Sequence, residues 1–258
     1  MAASAPRIES IEEYRVHRTG ELYGQFQTLE QQKESATLGM WVFLVTEVLF
    51  FGGLFMAYTI NRHAFSTAFG AGSNTLDIRL GGFNTVVLIM SSLTMAMAVW
   101  SAQVGKKKLV SLFLIATLGL GTVFLGVKVI EYKQKFDHHL VPGHGFDMRY
   151  RTQNPAPTDD PREIATEKEE LDKAFAADPY INAHGQLYFS LYFGMTGLHA
   201  LHMIVGAGLL VWLIKGSFSG RFTPQYNTPV EIVGLYWHFV DIVWIYLFPL
   251  LYLIDRHR

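Results

Sequence analysis

The sequence has 258 residues, 50% of them hydrophobic, with a formal net charge of −1 and no cysteine. That charge balance leaves no basic face for nucleic acid, and the missing cysteines exclude disulfides, cysteine-ligated zinc and iron–sulfur clusters in this chain. Mean hydropathy is +0.20, too apolar for an ordinary soluble domain, and the apolar residues are gathered into blocks.

Residues 1–37 are polar and carry Glu9, Glu12, Glu13, Glu21, Glu30 and Glu34. They hold no apolar h-region, so they read as a cytoplasmic tail without a cleavable signal, and the first span is expected to direct insertion. Five apolar runs follow, at 38–60, 82–103, 109–130, 187–214 and 230–254. Each supplies the roughly 20 residues that a bilayer crossing takes. Inside a membrane they must be helices, because every backbone polar group needs a partner within the segment. The expected fold class is all-α, a polytopic membrane helix bundle with five transmembrane helices and one long extramembrane loop. The chain divides into a tail at 1–37, spans one to three at 38–130, the loop at 131–184, and spans four and five at 185–258.

Trp41 and Tyr58 stand near the two ends of the first span, as an interfacial belt requires. Spans two and three are joined by a short link with Lys106, Lys107 and Lys108, so they form an antiparallel hairpin. Gly119, Gly121 and Gly126 in span three, and Gly206 and Gly208 in span four, are expected to let neighbouring helices approach closely. The loop holds 11 Asp and Glu against 7 Lys and Arg from 131 to 184, so it is net acidic. Its first half is turn chemistry; its second reads as a short helix to about Ala177, with Asp160 as N-cap and Pro161 as the first helical residue. Lysine and arginine placement orients the chain. The triple lysine, Lys33, Lys215 and Arg221 mark the cytoplasmic side; Arg62, Arg79, Arg256 and Arg258 fall on the other, with the acidic loop and the C-terminus.

Ionisable groups inside the spans are costly and need a partner or a purpose. Glu47 lies about nine residues into the first span, roughly 13 Å along it. It is read either as a proton-handling carboxyl or as an acid bonded to a neighbouring helix. His199 and His202 share a face of span four, and His238 and Asp241 share a face of span five. One reading makes these four a metal or haem site; the other makes them interhelical hydrogen bonds, with Asp241 accepting from a span-four imidazole. Glu131, at the outer end of span three, either pairs with Lys128 at i,i+3 or is a solvated helix end. Lys106, Lys107, Lys108 and Arg221 are candidates for lipid headgroups. His138, His139, His144 and His184 in the loop are read as a metal site or as plain loop residues.

Several segments converge on one family. Span one reads Gly39-Met40-Trp41 through Thr46-Glu47, span two contains Asn84-Thr85 and Ser91-Ser92, and span three ends in Glu131-Tyr132. Span four contains Thr196-Gly197-Leu198-His199-Ala200-Leu201-His202, and span five contains Tyr236-Trp237-His238-Phe239-Val240-Asp241. Together these resemble subunit III of the haem–copper oxygen reductases, the cytochrome c oxidase type. The resemblance implies a chain that binds no haem or copper, both of which sit in partner subunits. It implies packing against subunit I, assembly with subunit II and other oxidase subunits, bound phospholipid and support of proton uptake, in the bacterial cytoplasmic membrane. Glu47 and Glu131 match the family's two membrane carboxylates, and His199, His202, His238 and Asp241 match its polar packing positions. The mitochondrial type has seven spans, two more than are read here; five-span bacterial forms exist, including those of quinol oxidases and nitric oxide reductase operons. The acidic loop suggests docking of a basic donor such as cytochrome c, through Asp159, Asp160, Glu163, Glu167 and Glu169.

Overall fold

A computed structural model describes residues 25–26, 28–157, 160–224 and 226–254. The tail acids Glu9, Glu12, Glu13 and Glu21, together with Asp159, Arg256 and Arg258, lie outside them. The elements in chain order are α1 (Leu29–Ala64), α2 (Ser66–Asn74), α3 (Ile78–Val104), α4 (Lys107–Asp137), the single turn α5 (Tyr150–Gln153), α6 (Pro161–Ala177), α7 (Ile181–Phe218) and α8 (Thr228–Phe248). A π-helical turn, Pro249–Leu253, follows α8. No strand occurs among the described residues. Five helices are long and apolar enough to cross a membrane: α1, α3, α4, α7 and α8 with its π turn. The protein is an all-α polytopic bundle.

The helices outrun the apolar stretches inside them. Thr28 caps α1, its hydroxyl accepting the Gln31 N–H at 3.1 Å, and Glu30 faces the positive end of the helix dipole. The 36 residues of α1 make about 54 Å of helix, against about 30 Å of bilayer hydrocarbon. Asp77 caps α3 by accepting from the N–H groups of Arg79 and Leu80. Gly105, with φ of 81°, ends α3 in the left-handed conformation that a side chain disfavours. The chain turns there and enters α4 at Lys107, so α3 and α4 pack as an antiparallel hairpin. The Asp160 carboxylate accepts the Arg162 N–H at the start of α6.

Trp237 of α8 sits at the centre of the packing. Its indole N–H donates to the Ser91 hydroxyl of α3 at 3.0 Å. A Cβ added at Gly121 of α4 would stand 2.8 Å from its ring, and one at Gly206 of α7 would stand 3.0 Å away. Those two glycines are therefore the close-approach positions. A Cβ at Gly119, Gly126 or Gly208 would meet nothing within 4 Å in this chain. α1 is peripheral: Leu38, Leu49 and Met56 are exposed, and only 11% of its most apolar stretch is buried.

Residues 66–74 hold no long apolar run, and their folding as α2 is a finding of the structure. Ala68, Phe69, Gly72 and Ser73 form its buried face, and a Cβ at Gly72 would clash with the Tyr188 ring of α7. Beyond α8, Pro249 has no N–H to give, and the helix widens into the π turn. Hydroxyls from three other helices donate to the carbonyls of this segment. Tyr58 of α1 reaches Leu250 at 3.0 Å; Ser73 of α2 and Tyr188 of α7 reach Leu251 at 2.8 and 3.2 Å.

Candidate functional site

α4 carries Lys128, Glu131 and Lys135 on one face, and all three are buried. Lys128 Nζ donates to Glu131 Oε2 at 2.7 Å and to the Tyr252 hydroxyl at 2.8 Å. Glu131 Oε1 accepts from the Tyr192 hydroxyl at 2.7 Å and from the Tyr252 hydroxyl. The ammonium also lies 4.5 Å from the Trp244 ring centroid and 5.3 Å from that of Tyr252. Three donors on two oxygens hold the carboxyl between α4, α7 and the π turn. The solvated-helix-end reading of Glu131 is excluded by its 1% exposure. Lys135 Nζ donates to the Thr75 carbonyl, at the C-terminal end of α2, at 2.6 Å. Tyr192, Tyr252 and Lys135 were not singled out by the sequence; their signal is a polar side chain within or beside an apolar run.

The four His and Asp positions turn to different neighbours. His199 Nε2 donates to the Val240 carbonyl at 3.1 Å, and its Nδ1 has no hydrogen bond. His202 Nδ1 donates to the Leu198 carbonyl at 2.8 Å. His202 Nε2 lies 3.2 Å from Glu47 Oε2, off the line of a hydrogen bond, so that oxygen is close to the imidazole without being bonded to it. His238 Nδ1 meets the Ser92 hydroxyl at 2.7 Å. Asp241 is buried beside Ser92, and neither of its oxygens makes a well-formed hydrogen bond. The expected bond from a span-four imidazole to Asp241 is not formed. Residues three apart on a helix are about 60° apart around it, so at a junction of several helices two such groups face different partners. Among the described residues no three His, Cys, Asp or Glu side chains come together as metal ligands. Two of the loop histidines, His184 and His139, are engaged separately. His184 Nδ1 meets the Asp178 carboxylate at 2.6 Å, its ring stacked 4.0 Å from Phe65, and the His139 ring lies 3.9 Å from Tyr150. Burial pushes the Asp178 carboxyl up, but the bonds from His184 and the Tyr180 N–H outweigh it and hold the group below its usual 3.8.

The sequence matches the model of the family described as cytochrome c oxidase subunit III over residues 14–137 and 174–255, well over half of the chain and all five spanning helices. The chain belongs to the cytochrome c oxidase subunit III family. It is 29% identical over 220 residues to cytochrome c oxidase subunit 3 of Thermostichus vulcanus, covering 85% of this chain and 87% of the relative. It is 30% identical over 224 residues to the protein of that name in Corynebacterium diphtheriae, covering 85% and 88%. Its identity to a probable quinol oxidase subunit 3 of Staphylococcus haemolyticus is 28% over 218 residues, covering 84% and 88%. The subunit III match stops at Asp137, the last residue of α4, and resumes at residue 174, close to the end of α6. Residues 138–173, with α5 and most of α6, therefore stand outside the family core.

The remaining candidates of this subunit III chain lie at the two ends of the bundle. Lys106 Nζ is 4.8 Å from the Trp100 ring, Lys107 Nζ reaches the Gly220 carbonyl at 3.5 Å, and Lys108 is exposed. The Arg221 guanidinium is 5.9 Å from the rings of Trp212 and Tyr226, and these three border a groove of about 640 Å³ beside the start of α1. At the opposite end, most of the loop acids have partners within the chain. Arg149 meets Asp172 at 3.1 Å, Arg151 meets Glu167 at 2.8 Å, Lys173 meets Glu169 at 2.7 Å, and Asn74 donates to Glu170 at 3.2 Å.

Proposed function

We propose that this chain is the non-catalytic subunit III of a proton-pumping terminal oxidase of the cytochrome c oxidase type. It packs against subunit I, joins subunit II and the other oxidase subunits, and holds phospholipid in the bacterial cytoplasmic membrane. The observation that carries this reading is a family match running through all five spanning helices. In this reading haem and copper belong to partner subunits, where O₂ is reduced to water, and this chain supports proton uptake through Glu47. Glu131, tied to three donors, serves as a packing lock rather than a transfer group. The N-terminus is cytoplasmic and the α4–α7 connection external, on the strength of the Lys106–Lys108 turn. Arg221 and the aromatic groove beside it take a lipid headgroup. The near-equal identity to a probable quinol oxidase subunit 3 supports a second reading, in which the donor is a quinol.

The test is to tag the chain, solubilise native membranes mildly, and record reduced-minus-oxidised spectra and metal content of what purifies with it. Haem and copper in stoichiometric amounts with larger subunits, and absent from the stripped chain, is the expected result. Metal retained by the isolated chain refutes it, and oxidation of quinol but not of cytochrome c by the complex selects the second reading. Carbodiimide labelling that survives Glu47→Gln would remove Glu47 from the proton role.

A further inference from the structure

On the subunit III reading, we propose that the outward seam between α3 and α8, centred on Ser92 and His238, is the face that meets subunit I, and that a transmembrane helix of that subunit brings a hydrogen-bonding side chain to it at mid-bilayer depth. The subunit III reading names the neighbour; the seam supplies the face and the chemistry of the contact.

Ser92 is the fifteenth of the 27 residues of α3, and His238 is the eleventh of the 21 residues of α8, so the pair sits at the middle of both helices. The 2.7 Å contact between the Ser92 hydroxyl and His238 Nδ1 uses one side of the imidazole. The other nitrogen, Nε2, makes no hydrogen bond, and the ring is half-buried rather than enclosed. Neither tautomer removes the need. If the hydroxyl donates to Nδ1, an Nε2–H is left without an acceptor; if Nδ1–H donates to the hydroxyl, a bare Nε2 is left without a donor. One turn on, and on the same face of α8, Asp241 is 2% exposed with neither oxygen in a well-formed hydrogen bond. Acyl chains offer neither donor nor acceptor, so these groups are costly against lipid. A polar side chain from a neighbouring helix satisfies them, which is how helices are commonly joined inside membranes.

The rest of the seam suits a packed helix. Ile89 of α3 and Ile242 and Ile245 of α8 flank the pair by helical spacing, and all three are exposed. Ala96, one turn beyond Ser92 and exposed, lets another helix come close. Exposed hydroxyls on other faces are closed within the chain. Thr122 of α4 donates to the Leu118 carbonyl at 2.8 Å, and Thr46 of α1 donates to the Phe43 carbonyl at 2.6 Å. Those hydroxyls need nothing from a neighbour.

The experiment uses the whole complex in native membranes. A benzophenone amino acid is placed at Ile242, at Ile89 and, as a control, at Val123, an exposed residue near the middle of α4. After irradiation the tagged chain is purified, and linked partners are identified by mass spectrometry and haem staining. Links from Ile242 and Ile89 to the large haem-bearing subunit, and none from Val123, are expected. In a detergent wash, His238→Leu is expected to lower the haem retained per tagged chain by about threefold, and Ser92→Ala, which removes only the bond inside the chain, by much less. Equal losses for the two variants overturn the proposal, because they assign His238 to the chain's own packing. If His238→Leu does not accumulate, the links formed with His238 in place decide. Links from Val123 alone, from neither seam position, or to a protein without haem also overturn it. Haem and copper are scored on every sample, so an intact complex without seam links ends this proposal and leaves the oxidase assignment standing, whereas their absence ends both.

Discussion

Glu131→Gln removes the negative charge from the α4 cluster. The substitution keeps an acceptor for the Tyr192 and Tyr252 hydroxyls, but it puts an amide NH2 where Oε2 accepted from Lys128, so the negative charge and that hydrogen bond are lost together. Both side chains are about as buried as the core, at 5% and 2% exposure, so water offers no replacement. Removing one member of a buried pair costs about 3–5 kcal/mol, most of it the penalty of the stranded partner. For a protein of this size 1 kcal/mol moves the melting midpoint by about 2–4 °C, so a loss near 4 kcal/mol is about 8–16 °C. Lys128→Met strands the carboxylate and is expected to cost a similar amount. The Lys128→Met/Glu131→Gln double variant strands no charge, so it should be less damaged than the two singles added together, by at least about 2 kcal/mol. Thermal unfolding of the purified chain in one detergent, read by circular dichroism, supplies all four values. Additive losses would refute the argument, because they would mean that the two residues act on stability separately.

Two further outcomes follow from the geometry. Gly121→Val drives a side chain into the Trp237 ring, which Ser91 holds on one side and Gly206 abuts on another; a loss of about 1–3 kcal/mol is expected. Gly119→Val, with nothing within 4 Å, is the control, and equal effects on the melting midpoint would discount the packing argument. Asp178, whose carboxyl is held below 3.8, contributes stability that is present above its unfolded pKa and lost as pH falls through its folded one. Asp178→Asn should therefore flatten the acid side of a midpoint-against-pH curve below about pH 4, while costing no more than about 1 kcal/mol at pH 7.

The five membrane helices were legible because a bilayer crossing imposes a length and an apolar content that few other structures need. Their ends were less so. The polar stretch from Glu30 to Ser35 carries no membrane signal, yet it continues α1 because its residues favour helix and Thr28 caps it. α2 escaped notice because its nine residues are mostly small, and what buries them is tertiary contact with α7. At the candidate site the Lys128–Glu131 pairing follows from helical spacing alone. The tyrosines that complete it lie 61 and 121 residues from Glu131, and no local pattern brings them in. The His and Asp spacing in spans four and five correctly indicated shared faces, but a shared face covers enough arc to meet several neighbours. Glycines were over-read for the same reason: Gly121 and Gly119 look alike in sequence and face opposite ways.

The π turn after α8 also bears on how the bundle is made. Tyr58, Ser73 and Tyr188 belong to α1, α2 and α7, all translated before the carbonyls of Leu250 and Leu251 that accept their hydroxyls. Until that last segment arrives, three hydroxyls on three elements lack those acceptors. This end of the bundle thus remains incomplete until the last segment of the chain is made. A nascent chain arrested before residue 249 would therefore carry an open polar end where the finished bundle has three hydrogen bonds.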